Sequence, residues 1–197
     1  MDSPCDATLP QEAMQRCKGE CLYGTGTLPF GTLGAMSTQS FTIHTHSPED
    51  TQALGVILAQ HMPDQAVVAL YGDLAAGKTC LTHGFGEAYA VDEPISSPTF
   101  TLVNEYHGSK LIYHLDLYRL TSMEELVDLG YEDLLDTPNG IVLIEWAERA
   151  HRMLPEVHIN IKLSHKGEDL RCIEVNDAGL MIEGWQKAIT AKFPQEV

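Results

Sequence analysis

The sequence predicts an α/β fold whose central sheet mixes parallel and antiparallel strands. Three observations lead there. A buried apolar run at residues 67–71 enters a glycine-rich turn and then a helix from Lys78 to about Tyr89. Strand, turn and helix in that order are the unit of a parallel sheet. A second apolar run at residues 141–144 repeats the buried-strand pattern. Two hairpin patterns, 101–106 with 111–117 and 156–164 with 170–175, add antiparallel pairs.

The chain of 197 residues is long enough for one domain with a real core and too short for two comfortable ones. Hydrophobic residues make up 44% and charged residues 20%, ordinary for a soluble globular protein. Lys and Arg number 12 against 28 Asp and Glu, a net charge of −16. So acidic a surface argues against gripping a nucleic acid backbone directly, since phosphate contacts need clustered cations. No run of 18 apolar residues occurs, so no transmembrane helix is predicted. The N-terminus lacks the charged-then-apolar pattern of a signal peptide, and a cytoplasmic location follows. Five scattered cysteines make no disulfide framework, and Cys17 with Cys21 lacks the further ligands of a four-coordinate metal site.

Taken in order, residues 1–37 show no sustained period and read as a disordered extension, with Met36 as a candidate start. Residues 38–197 read as one domain. Residues 40–45 alternate as a first strand. Ser47-Pro48-Glu49-Asp50 opens a helix: a capping hydroxyl, proline in the first turn, and acids at the positive end. Leu54, Ile57, Leu58 and Met62 follow at helical spacing. The first hairpin turns at residues 107–110. Thr121-Ser122-Met123-Glu124 reads as a capping box opening a helix to about Leu135, with Leu126, Leu129, Leu134 and Leu135 available for burial. After the second hairpin, a helix is predicted over about 177–193, anchored by Leu180, Ile182, Trp185 and Ile189.

The turn after residue 71 carries the chemistry. Gly72-Asp73-Leu74-Ala75-Ala76-Gly77-Lys78-Thr79 fits G-x-x-x-x-G-K-[ST]. Glycines let successive N–H groups point at phosphate oxygens, lysine adds a positive charge, and the threonine hydroxyl can meet Mg²⁺. The helix that follows turns its positive end to the same anion. Cys80, next in line, reads as a small helix residue rather than a reactive thiol. Glu145 ends the second buried strand, where a carboxylate beside a phosphate loop serves a nucleotide-bound metal. Trp146 either covers a base or packs, and packing is the commoner fate of a large aromatic. Asp116 either orients an attacking water or pairs with Arg119 at the surface. His114, sharing its face, is by type more often structural than a proton carrier. Ser97-Pro98-Thr99-Phe100 is either a phosphate-sensing switch or a strand start with local hydroxyl bonds.

Four motifs then stand in order: the phosphate loop, Ser97-Pro98-Thr99-Phe100, His114-x-Asp116-x-Tyr118-Arg119, and Ile144-Glu145-Trp146. Together they resemble the TsaE family, bacterial ATPases of tRNA threonylcarbamoyladenosine biosynthesis, over about residues 40–175. The resemblance implies a P-loop NTPase-like three-layer fold that uses ATP and Mg²⁺. It assigns nucleotide contacts to residues 72–80, Thr99 and Trp146, and Mg²⁺ to Thr79 and Glu145. Lys78, Asp116 and Glu145 would be catalytic. It implies a transferase partner resembling TsaD and its paralogue TsaB, with tRNA adenosine 37 reached through that complex. Two departures stand out: the family usually has Gly at Ala75 and Thr or Ser at Cys80. A small-molecule kinase shares the phosphate loop but needs arginines to clamp the transferred group, and the chain has few. A non-catalytic nucleotide-dependent scaffold is the other alternative.

Overall fold

The computed structural model describes residues 40–150 and 152–194. The predicted extension and the start at Met36 lie outside the described residues. In chain order the elements are β1 (Phe41–Thr45), α1 (Pro48–Gln60), β2 (Ala66–Tyr71), α2 (Lys78–Ala88), β3 (Val103–His107), β4 (Leu111–Asp116), α3 (Met123–Asp128), α4 (Tyr131–Leu135), β5 (Gly140–Glu145), a 3₁₀ turn (Ala147–Ala150), β6 (Ile159–Gly167), β7 (Leu170–Asn176) and α5 (Trp185–Lys192).

One seven-stranded sheet runs β1-β7-β6-β2-β5-β4-β3. The middle strands β6, β2, β5 and β4 are parallel, and antiparallel pairs finish both edges. This is the mixed three-layer α/β fold that the sequence predicts. β2 and β5 are apolar on both faces because helices cover both. Val68, Leu70, Ile141 and Leu143 pack under α1, α2 and α5, with Leu54, Leu81, Phe85 and Trp185. Val67, Ala69, Val142 and Ile144 turn the other way, against Leu126 and Tyr131 of α3 and α4 and the 3₁₀ turn. α1 starts as its sequence dictates: the Ser47 side chain accepts the Asp50 N–H at 3.0 Å. α1 and α2 meet at backbone distance, since a Cβ on Gly84 would lie 2.1 Å from the Gln52 carbonyl oxygen.

Two predicted helices are corrected. The helix expected from residue 121 to Leu135 is two short ones, because Gly130 takes a left-handed φ of 69° between them. The break leaves Leu129 39% exposed, leaves Leu134 and Leu135 only half-buried, and buries Tyr131 instead. Burial pushes the Tyr131 phenol up to about 12. The capping box does not form: the cap falls on Ser122, whose side chain makes no capping bond, and Thr121 instead bonds the Glu125 carboxylate through its N–H and hydroxyl. The tail helix is confined to α5. Asp177 accepts the Gly179 N–H at 3.2 Å and the Trp185 indole N–H at 3.1 Å, and Ala178, Gly179 and Gly184 all take positive φ. These are turn geometries, so Ile182 is 54% exposed and anchors nothing, while Trp185 and Ile189 are buried as expected.

Candidate nucleotide site

The parallel strands deliver the phosphate loop and two predicted site residues to one edge. β2 runs out into the phosphate loop, β5 ends on Glu145, and β4 ends on Asp116. Leu70 stands opposite Glu145 and Glu145 opposite Asp116 in the register, so both carboxylates leave the same face of the sheet. The carboxyl ends of parallel strands are where α/β sheets bind ligands.

The loop folds on positive φ angles. Gly72 has φ 138°, and a Cβ there would lie 2.3 Å from the Leu163 carbonyl oxygen, so only glycine fits. Ala75 takes φ 62°, a left-handed conformation that glycine adopts without strain. Gly77 caps α2 with φ 104°, and no side chain caps the first turn of the helix. Its N–H groups are thereby open to an anion.

Lys78 is 4% exposed and donates its ammonium to the carbonyls of Gly72 at 2.7 Å and Asp73 at 2.9 Å. The ammonium also lies 4.1 Å from the centroid of the Trp146 ring, a cation–π contact. Burial lowers its pKa, against the opposing pull of Glu145, Glu148, Asp116 and Asp73. Trp146 holds a left-handed φ of 58° and packs against Tyr118, ring centroids 5.0 Å apart and planes tilted by 44°.

The Thr79 hydroxyl donates to Glu145 Oε1 at 2.7 Å, and His114 Nε2 meets the same oxygen at 2.9 Å. Hydroxyl and carboxylate therefore converge as an all-oxygen pair. Among the described residues no group of three or more His, Cys, Asp or Glu could hold a metal. One carboxylate with one hydroxyl suits Mg²⁺, which keeps waters and takes its remaining ligands from phosphates.

Across the cleft, Asp116 is tied to the 97–100 segment. Its Oδ2 accepts the Ser97 hydroxyl at 2.8 Å and the Thr99 hydroxyl, and its Oδ1 accepts the Tyr118 N–H at 2.9 Å. Arg119 does not pair with it: the guanidinium lies 4.4 Å over the Phe100 ring.

These groups line a cavity of about 490 Å³. Residues 74–80 reach it, with Thr99, Asp116, Glu145 and Trp146. Gly72 and Asp73 do not line it; they face Lys78 through their carbonyls. The Cys80 thiol donates to the Pro48 carbonyl at 3.1 Å, and burial together with Glu49 pushes its pKa up, so a reactive thiolate is disfavoured there. Sequence reasoning missed the far end of the cavity, formed by Ser47, Pro48, Thr51, Asp169 and Arg171. Only the pairing of β6 with β2 and of β7 with β6 brings the 169–171 turn there, and nothing local in the sequence signals it.

Residues 45–173 match the family model described as "Threonylcarbamoyl adenosine biosynthesis protein TsaE". The chain belongs to the TsaE family. It is 40% identical over 149 residues to the tRNA threonylcarbamoyladenosine biosynthesis protein TsaE of Nostoc sp. (strain PCC 7120), covering 73% of this chain and 91% of that one. It is 41% identical over 117 residues to the protein of that name from Treponema pallidum, covering 59% of this chain and 86% of the relative. Among solved structures it superposes on Bacillus subtilis YdiB with a TM-score of 0.62 and 28% identity, covering 78% of this chain and 96% of that one. The TsaE match takes in all four motifs, from the phosphate loop to Glu145-Trp146. The sheet is the P-loop NTPase-like one of the family, and no helix among the described residues is long and apolar enough to cross a membrane.

Proposed function

We propose that this TsaE-family chain binds and hydrolyses ATP with Mg²⁺, and that the hydrolysis serves threonylcarbamoylation of tRNA adenosine 37. The observation that carries the reading is the convergence of Lys78, the Thr79–Glu145 pair and Asp116 on one cavity at the carboxyl edge of the sheet. Lys78 and the open N–H groups of α2 bind and orient the phosphates. Thr79 keeps the lone pairs of its oxygen for the cation while giving its proton to Glu145. Bound Mg²⁺ supplies neutralisation of charge on the terminal phosphates. Among the described residues Asp116 is the only other carboxylate lining this end of the cavity, and it accepts the proton of the attacking water. Its Oδ2 is bonded to Ser97 and Thr99, so freeing that oxygen for water requires those hydroxyls to leave, which couples hydrolysis to the 97–100 segment.

The net charge of −16 supports a division of labour: a TsaD-like transferase with a TsaB-like paralogue carries the tRNA, and this chain acts through them in the cytoplasm. Three arginines near the site are engaged elsewhere. Arg119 lies over the Phe100 ring, Arg149 donates to the Leu120 carbonyl at 3.2 Å, and Arg171, at the far end of the cavity, donates to the Glu168 and Leu170 carbonyls at 2.9 and 3.2 Å. This weighs against phosphoryl transfer to a small acceptor. The test measures ATP hydrolysis with and without the TsaD-like and TsaB-like subunits. Slow basal turnover, stimulation by the subunits and a stable complex are expected. No stimulation and no complex would reject the reading in favour of a kinase, to be tried on candidate acceptors.

A further inference from the structure

His114 has no solvent exposure and lies beneath the site rather than in it. Its Nε2 is 2.9 Å from Glu145 Oε1, the oxygen that also accepts the Thr79 hydroxyl. A carboxylate oxygen only accepts, so Nε2 carries the proton. Nδ1 is buried with no hydrogen-bond partner. Nδ1 therefore has no acceptor to donate to, and the polar contact of the ring is the Nε2–H to Glu145 bond. The Tyr106 ring lies 6.5 Å away, tilted by 34°. Tyr106 is fixed in turn, because its hydroxyl accepts the Ser96 N–H at 2.9 Å and donates to the Ser96 carbonyl at 3.0 Å.

We infer that His114 is a positioning residue for the metal side of the site: by donating Nε2–H to Glu145 Oε1 it fixes the carboxylate so that Oε2 is the oxygen left to serve a nucleotide-bound divalent cation. The arrangement has a physical rationale. Glu145 is the last residue of β5 and is itself nearly buried. With Thr79 as its sole donor the carboxylate would be free to swing about that one hydrogen bond. A second donor on the same oxygen, rising from the neighbouring strand, prevents that. Outer-shell donors of this kind orient a metal-serving group and change metal affinity about 10- to 100-fold when removed. The inference rests on the proposed Mg²⁺ role of Thr79 and Glu145.

The test uses the full chain, mant-ADP and Mg²⁺. His114→Leu keeps an apolar filling without the donor, and His114→Gln restores an N–H. His114→Leu is expected to raise the Mg²⁺ concentration for half-maximal mant-ADP binding about 10-fold, while metal-free mant-ADP binding stays within about twofold. His114→Gln is expected to recover most of the loss. Unchanged Mg²⁺ dependence in His114→Leu, or equal loss with and without Mg²⁺, would overturn the inference. If thermal melting shows that His114→Leu does not fold, wild-type imidazole ¹⁵N spectra decide: an Nε2–H tautomer supports the assignment and an Nδ1–H tautomer refutes it. Wild-type binding that ignores Mg²⁺ would instead sink the metal role of Thr79 and Glu145, and the inference with it.

Discussion

The two walls of the cleft differ in how their residues are held. On the loop side Lys78, Thr79, Glu145 and His114 bond to one another or to loop carbonyls, and Lys78, Glu145 and His114 are buried. On the opposite side Asp116 is buried, but both hydroxyls on its Oδ2 come from the segment carrying Phe100, which is 83% exposed. One wall is an outgrowth of the sheet core. The other is a buried carboxylate closed over by an exposed loop. The difference teaches that, on the proposed function, binding and hydrolysis are separable: phosphate recognition would belong to the rigid wall, and water activation would depend on what the loop does.

Breaking the rigid wall should have the largest effect. Lys78→Ala removes the cation proposed to meet phosphate and is expected to abolish nucleotide binding in a fluorescence titration. Tight binding by the variant would take the loop out of the mechanism. Breaking the other wall should spare binding. Asp116→Ala is expected to bind mant-ADP like wild type and lose roughly 10²- to 10⁴-fold in single-turnover hydrolysis, the range for a positioned base. An unchanged rate would contradict its role, and lost binding would show that the walls are not separable.

Two smaller effects test what holds the rigid wall in place. Gly84→Ala adds a Cβ 2.1 Å from the Gln52 carbonyl oxygen, where α2 crosses α1. Backbone must shift, at a cost of about 1–3 kcal/mol, read as a lower melting temperature. A melting temperature equal to wild type would mean that the helices part freely. Ala75→Gly relieves a φ of 62° within the loop and is expected to stabilise by about 1 kcal/mol or less, since glycine also gains freedom in the unfolded chain. A destabilised Ala75→Gly would mean that the methyl group does more good in the cavity than its φ does harm.

The loop side was the legible side. Strand, glycines, lysine, threonine and helix are contiguous, so local sequence carries their geometry, and Glu145 was readable because a buried strand must end somewhere polar. Asp116 and Ser97 were readable as candidates, but their mutual bond was not, because 19 positions separate them and only the β3–β4 hairpin joins them. The alternative pairing of Asp116 with Arg119 looked equal from sequence; it fails because the guanidinium finds an aromatic face instead. The errors in helices had local causes of a kind that periodicity ignores. Gly130 and Gly184 sit where apolar spacing continues but the backbone turns left-handed. An apolar period records which faces would be buried if a helix formed, not whether the chain stays in one.

By itself the sequence determined the phosphate loop, the alternation that builds the sheet and the apolar runs that set its parallel centre. These follow from short-range rules: residues near in the chain share one backbone geometry, and a buried strand must be apolar on both faces. Tertiary structure decided the rest. It set the register that puts Glu145 opposite Asp116, brought His114 against Glu145 from the next strand, and carried Arg171 round to the far end of the cavity. Contacts between distant segments depend on which strands pair and in what order, and no local stretch of the chain encodes that order.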